Sequence, residues 1–275
     1  LVLFPNCKIN LGLYITSKRP DGYHNLETIF YPVAVTDAVE VIENGEKDSS
    51  AVDFASTGLT ITGSTTSNLC VKAYHILKKD YPNLPAVKMH LHKTIPMGAG
   101  LGGGSSNGAF TLQLLNQKFN LGISEKKLLE YALQLGSDCP FFIINKPCVG
   151  RGRGEKLNPV TLNLSGYTLF IVNPGIHVST KEAFANIHPK QPQTDIETTI
   201  SKPVKYWKGK LLNDFEEGVF ALHPELAAIK ASLYHAGAVY AAMSGSGSSL
   251  FGLFQTTGFT LPVFNNNYWV KQVLL

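Results

Sequence analysis

"PMGAGLGGGSSNGA", residues 96–109, places six glycines in the eleven positions from Gly98 to Gly108. Glycine loses more chain entropy on ordering than any other residue, so this density requires a backbone that approaches something closely. Three kinds of loop compete for the stretch. Gly98, Gly100 and Gly103 satisfy the G-x-G-x-x-G spacing of a dinucleotide site, but that site needs an acid about 20 residues on. Residues 116–123, "NQKFNLGI", contain none. A Walker loop needs Lys and then Ser or Thr after its last glycine, whereas Gly104 is followed directly by Ser105. The third kind is a strand, a wide glycine loop and a helix opening at Ser105-Ser106-Asn107. Its free amides and helix dipole would face a bulky anion such as a triphosphate, with the two hydroxyls as further donors or a metal contact. A tight structural turn is the remaining alternative.

Outward from that loop, the pattern is mixed. "AVKMHLHKTI" (86–95) leads into it as a strand, and Leu112, Leu115 and Phe119 keep helical spacing after it. Upstream, "KINLGLYIT" alternates, with Ile9, Leu11, Leu13 and Ile15 on one face and Lys8, Asn10, Gly12 and Tyr14 on the other. "RPDGYH" (19–24) has turn chemistry, and "ETIFYPVAV" and "AVEVIE" read as strands. A helix starts near Ser67-Asn68 with Leu69, Ala73, Ile76 and Leu77 inward, and another runs from Ser124 to about Leu135, stopped by Gly136. "CVGRGRGEKL" is hairpin-like and closes a first half near residue 160. "YTLFIVNPG" then opens a second with helices near 180–187, 210–221 and 224–235 and a last strand in "NYWVKQVLL". Lys190–Lys210 is the least structured-looking stretch. The order of elements predicts an α+β protein of two lobes, 1–160 with the glycine loop and 161–275.

Composition removes several functions. Of 275 residues 44% are apolar, enough for a sizeable core. A net charge of +4 without a basic run argues against a nucleic-acid groove. Cys7, Cys70, Cys139 and Cys148 form no CxxC pair, and reduced core cysteines are the simplest reading. His90 and His92 share a strand face, but two ligands make a poor metal site. No apolar run reaches a membrane span, and "LVLFPNCK" lacks a signal-peptide layout, so the expectation is a cytoplasmic protein with no membrane or nucleic-acid partner. A monomer or weak homodimer is expected.

Four blocks in order resemble the GHMP small-molecule kinases: "KINLGLYITSKRPDGYHNLETIF" from Lys8, the glycine stretch, "LGSDCPFF" around Asp138, and "MSGSGSSLFGLF" at 243–254. The first and third are similar to the branch whose acceptor is an alcohol of a methylerythritol unit carrying cytidine diphosphate, in the non-mevalonate route to isoprenoid precursors. The resemblance implies a ribosomal-protein-S5-like N-terminal lobe, a ferredoxin-like C-terminal lobe and an active site in the cleft between them. It implies ATP as co-substrate and Mg2+, with Ser106 the candidate metal contact.

Carried onto this chain, the resemblance makes Asp138 the catalytic base and Lys8 the catalytic cation. For each there is a plain alternative: Asp138 capping a short helix that has Pro140 in its first turn, and Lys8 as a solvated strand lysine. Pro96, Met97, Gly98, Ala99, Gly100 and Leu101, then Gly102, Gly103, Gly104, Ser105 and Ser106, would wrap the nucleotide phosphates. Asn68, Leu69 and Lys93 would surround its adenine, although Asn68 has a helix cap and Leu69 a core position as alternatives. Tyr23 and His24 match the cytidine-contacting pair, with Phe184 across the ring, Asn10 on the acceptor hydroxyls and Thr180 beside them. Ser244, Gly245, Ser246 and Gly247 would line the cleft, or simply form a bend. Three positions depart from the pattern: Gly108 stands where the family carries Ala, which predicts a weakened helix, and Ser137 and Cys139 flank Asp138 where the family more often has Ala and Val. Arg151 and Arg153 could steer phosphates or decorate a hairpin. Two rival functions remain at this point, a GHMP kinase for a homoserine- or mevalonate-type alcohol and a nucleotide-binding module without catalysis.

Overall fold

The computed structural model describes residues 1–45, 51–185, 187–192, 194–255, 259–260 and 262–275. The chain runs through β1 (Val2–Leu3), β2 (Asn6–Lys18), β3 (His24–Thr36), β4 (Ala38–Glu43) and β5 (Val52–Gly58). Next come α1 (Leu69–Asp80), β6 (Val87–Lys93), α2 (Gly103–Lys118), α3 (Glu125–Leu135) and α4 (Cys139–Ile144). The hairpin β7 (Cys148–Gly152) and β8 (Lys156–Pro159) precedes β9 (Tyr167–Asn173), α5 (Thr180–Ala185), α6 (Ile196–Ile200), α7 (Phe215–Leu222) and α8 (Pro224–His235). The last elements are β10 (Tyr240–Met243), β11 (Leu250–Gln255) and β12 (Trp269–Leu274). Helix and sheet are both abundant, and the α+β class expected above is what forms.

Two compact units assemble from interleaved stretches. The first holds Leu1–Cys7, Ala34–Met97 and Gly102–Asn145, and the second Lys8–Val33, Gly98–Leu101 and Lys146–Leu275. In the first, a sheet of order β1-β4-β6-β5 is registered by alternating apolar residues, Val39 opposite Leu91 and Val41 opposite Met89. Helix α2 packs against α1, α3 and α4. Asn68 caps α1, its side chain accepting the Cys70 N–H at 2.9 Å, and Ser124 caps α3.

Gly108 corrects an expectation. A Cβ there would lie 2.9 Å from Leu69 Cβ and 3.2 Å from Leu135 Cδ1, so the missing methyl is what lets α2 pack closely on its neighbours. Propensity alone predicts that Gly108→Ala stabilises by about 1 kcal/mol. The packing reverses the sign, because the new methyl meets a Cβ that cannot swing away, and overpacking of this kind costs about 1–3 kcal/mol. A lower denaturation midpoint for Gly108→Ala in urea is therefore expected, and a raised midpoint would contradict this packing.

The second unit contains two sheets, β2-β3-β7-β8 and β10-β11-β9-β12. Strand β2 pairs with β3, which pairs with β7, and this is why residues 8–33 belong with the chain after residue 145. The residue-160 boundary drawn above falls within this unit. Leu13 and Ile15 enter a core with Phe170, Val172, Val219, Leu226, Leu250 and Phe254.

The helix expected over 210–221 begins only at Phe215. Residues before it run along β2 instead: Leu13 N–H donates to Leu212 O at 2.7 Å and Asp214 N–H to Leu13 O at 2.8 Å. From 194 to 210 this stretch holds more structure than its composition suggests. Ile196 and Ile200 are buried on α6, and Trp207 is 1% exposed with its indole N–H donating to Lys202 O. A few apolar anchors hold it among many lysines and prolines. Asn186, in the helix expected over 180–187, lies outside the described residues.

Candidate active site

In the first unit, β6 ends at Lys93 and α2 begins at Gly103. Gly102, the residue before the helix, has φ +69°, in the left-handed region where a Cβ is disfavoured. A 16-residue helix with no acid in its first turn thus presents unneutralised amides and the positive end of its dipole. Asn68, Leu69, Met97 and Gly104 come together around a cavity of about 220 Å3, which Leu91 also lines. Asn68 therefore both caps α1 and lines this cavity. Lys93 is placed differently: its side chain is wholly buried and its ammonium pairs with Asp37. Ser106 has no exposed surface, and its Oγ has no hydrogen-bond partner among the described residues.

Asp138 is half-buried immediately before α4, with Pro140 in the first helical turn as the sequence suggests. Its carboxylate does not cap that helix. Capping of α4 therefore does not account for an Asp at this position. The neighbouring Cys139 thiol is pushed up to about 12 by burial, which leaves it protonated and unsuited to nucleophilic chemistry.

The second unit holds Lys8, Asn10, Gly100 and the turn after β10. Strand β2 is buried on both faces from Asn6 to Ile15, so Lys8 is 3% exposed rather than solvated. Its ammonium donates to Asn10 Oδ1 and to Gly100 O at 3.0 Å, and lies 5.4 Å from the centre of the Phe30 ring. Asn10 in turn donates to Thr28 Oγ1 at 2.9 Å. Gly100 O also accepts from Ser244 Oγ at 2.9 Å, and Ser249 N–H donates to Ala99 O at 3.1 Å. Ser244 and Gly245 are thus fastened to the middle of the glycine stretch, and a Cβ on Gly245 would sit 3.4 Å from the Lys8 ammonium. Gly247 N–H closes the turn onto Ser244 O, while Ser246 stays half-buried.

Several residues that hold this cluster carried no signal in the sequence. Asn213 donates both amide hydrogens at 2.8 Å, to Met243 O and Gly245 O, and fixes the turn's entry. Asn173 reaches Ser248 and Ser249 at 3.1 Å each. His177 stands 3.5 Å from where a Gly98 Cβ would be.

Aromatic residues make a second group in this unit. His24 and Phe184 stack with ring centres 4.7 Å apart, and Phe184 meets Phe215 edge-on at 4.8 Å. Burial lowers the His24 pKa, with Lys18 adding to the effect, so the ring tends to neutrality. Tyr23 is 57% exposed, with the Arg153 guanidinium 5.1 Å from its ring centre. Thr180 is exposed at the start of α5. Arg151 is already committed to Glu27 and Glu197. His90 and His92 both hydrogen-bond Thr57 Oγ1, at 3.1 and 3.0 Å.

Comparison with known proteins agrees with this architecture. The GHMP kinases N terminal domain matches residues 68–146, and the GHMP kinases C terminal domain matches residues 205–258. A protein of Bacteroides thetaiotaomicron named 4-diphosphocytidyl-2-C-methyl-D-erythritol kinase is 53% identical over 262 residues, covering 95% of this chain and 94% of its own. One of the same name from Bacteroides fragilis is 52% identical over 92% of each. A crystal structure of 4-(cytidine 5'-diphospho)-2C-methyl-D-erythritol kinase superposes with a TM-score of 0.78 at 30% identity, covering 92% of this chain and 90% of that one. No helix among the described residues is long and apolar enough to cross a membrane. Such identity over nearly full length shows that the chain belongs to the 4-diphosphocytidyl-2-C-methyl-D-erythritol kinases, small-molecule phosphotransferases of the GHMP kinase superfamily.

Proposed function

We propose that the chain transfers the γ-phosphoryl group of ATP to the 2-hydroxyl of 4-diphosphocytidyl-2-C-methyl-D-erythritol, a step of the non-mevalonate isoprenoid pathway. The observation that carries the reading is the Lys8 ammonium, buried and held on a carbonyl of the glycine loop. A buried cation costs desolvation, and beside developing phosphoryl charge it acts with far more effect than it would in water. Asp138 takes the hydroxyl proton as the acceptor oxygen bonds to phosphorus; the bond from that phosphorus to the β-phosphate oxygen breaks, and ADP leaves. Lys8 offsets charge on the transferring group, and Asn10 orients the acceptor.

Residues 96–106 cradle the phosphates, and Asn68 and Leu69 bound the adenine cavity, with Lys93 beneath. Tyr23, His24 and Phe184 take the cytosine, Thr180 stands beside them, and Ser244–Gly247 lets the acceptor approach. Mg2+ would neutralise triphosphate charge. The Ser106 hydroxyl, unpartnered among the described residues, is an oxygen donor of the kind it accepts, and those residues hold no group of three or more acidic, His or Cys side chains arranged to bind a metal ion. This donor set suits a cation carried mainly by nucleotide oxygens and water. We also read 1–160 and 161–275 as the two family domains, and the protein as a cytoplasmic monomer or weak homodimer without nucleic-acid or membrane partners.

Assay with ATP against a panel of alcohols tests the reading. Turnover confined to homoserine- or mevalonate-type acceptors would overturn it, because those offer no base for the aromatic group. Tyr23→Ala is expected to raise KM for the cytidyl acceptor about tenfold, the loss of one base–aromatic stack, with the KM for ATP within about twofold of its starting value. Equal losses for both ligands would remove Tyr23 from the cytidine site.

A further inference from the structure

We propose that Asp37, a residue without any local sequence signal, is the positioning residue of the nucleotide's phosphate loop. Its one carboxylate clamps the strand that enters the glycine stretch to the helix that leaves it. The inference rests on the reading that this stretch holds the phosphates of ATP.

Asp37 lies between β3 and β4 and is 1% exposed. Its Oδ1 accepts the backbone N–H of Thr94 at 2.7 Å and of Ile95 at 2.9 Å, the residues that carry the chain from β6 into the loop. Oδ2 accepts from the Lys93 ammonium and from Asn107 Nδ2 at 2.8 Å, the latter on the second turn of α2. Both shoulders of the loop therefore end on one side chain, while its own backbone is fixed by Asp37 N–H donating to Pro5 O at 2.9 Å. Gly103 completes the arrangement: a Cβ there would fall 2.9 Å from the Lys93 Nζ and 2.9 Å from Ile95 Cγ2. Glycine as the first residue of α2 leaves room for the ammonium beneath the helix start.

A stability role does not account for this construction. Two fully buried charges pay desolvation that roughly cancels their attraction, and well-packed apolar residues of similar volume often serve stability equally well. What an apolar pair cannot do is accept four hydrogen bonds in fixed directions. The Lys93 ammonium is paired with Asp37 where solvent cannot reach it, burial lowering its pKa and Asp37 opposing that shift. Lys93 then serves the nucleotide through Asp37 and the loop backbone, with no free ammonium to offer it. Loop amides must meet phosphate oxygens within hydrogen-bond tolerance, and displacements near 1 Å in positioning groups can cost about a hundredfold in rate.

The test uses the full chain and measures ATP binding directly by titration calorimetry, beside steady-state kinetics and thermal melting. In Asp37→Leu/Lys93→Met the pair is replaced without leaving an orphan charge. In Asp37→Glu the charge stays and the clamp shifts by one methylene. Each is expected to bind ATP at least about tenfold more weakly, with KM for the cytidyl acceptor within about twofold and a single cooperative melt retained. A folded variant of either kind that binds ATP within twofold of the unaltered protein overturns the proposal; if the double variant fails to fold, Asp37→Glu decides. An unaltered protein that binds no ATP sinks the nucleotide reading of the loop, and the clamp's role with it. Normal ATP binding without phosphoryl transfer would sink the kinase reading alone.

Discussion

Asp138→Ala is expected to lower turnover by roughly 10²–10⁴, equivalent to about 3–5 kcal/mol of barrier, with ATP affinity nearly unchanged. The expectation follows from what the carboxylate does not do. An Asp preceding a helix ordinarily caps it, and its loss then appears as instability of about 1 kcal/mol. Here the Asp138 side chain makes no cap bond to α4, so its removal carries no capping penalty. Loss of turnover without loss of stability is the signature of a group that acts on substrate. Lys8→Met, which keeps the buried stem and deletes the charge, should give a loss of similar size. Near-normal single-turnover rates in either variant would remove that residue from the chemistry, and a large fall in melting temperature with Asp138→Ala would indicate a structural role instead.

Gly100→Ala is expected to be strongly destabilising. Gly100 has φ +75°, and a Cβ would lie 1.9 Å from the Ser244 carbonyl oxygen and 3.0 Å from that of Gly247. Left-handed backbone costs an L-residue about 1–2 kcal/mol, and the clash adds at least the 1–3 kcal/mol usual for overpacking. A total of about 3 kcal/mol corresponds to roughly 6–12 °C in melting temperature. Relief requires the Ser244 turn to withdraw, which breaks its bond to Gly100 O and disturbs the carbonyl that holds Lys8. Stability and turnover should therefore fall together. Gly166→Ala is the control: φ is +85° there with nothing within 4 Å, so only the backbone strain remains. If the two variants melt alike, the tight seat of Ser244 on the loop is wrong.

Part of the candidate site is legible in the sequence because its signals are local. The spacing of Lys8 and Asn10 puts both on one face of a strand, and in the structure they touch. The crowding of glycine announced a close backbone approach, and the second glycine run turned out to be one of the groups approached. Other readings failed where distance along the chain mattered. Gly108 reads as a helix defect in the sequence alone, whereas in the structure Leu69 and Leu135 lie against it. Arg151 and Arg153 are alike in the sequence, yet only the fold gives one two carboxylates and the other an aromatic ring. Lys8 was read as lying on a polar face, and no periodicity could reveal that both faces of its strand are covered.

By itself, then, the sequence determined the α+β class, the order of strand, glycine loop and helix, and the kinase family, all of which depend on residue type and short-range spacing. Only tertiary structure decided which polar groups are partnered. Asp37 meets residues 56 to 70 positions away, and Asn213 meets residues 30 and 32 away. Hydrogen bonds and burial are properties of neighbours in space, and a neighbour that far along the chain leaves no trace in local composition.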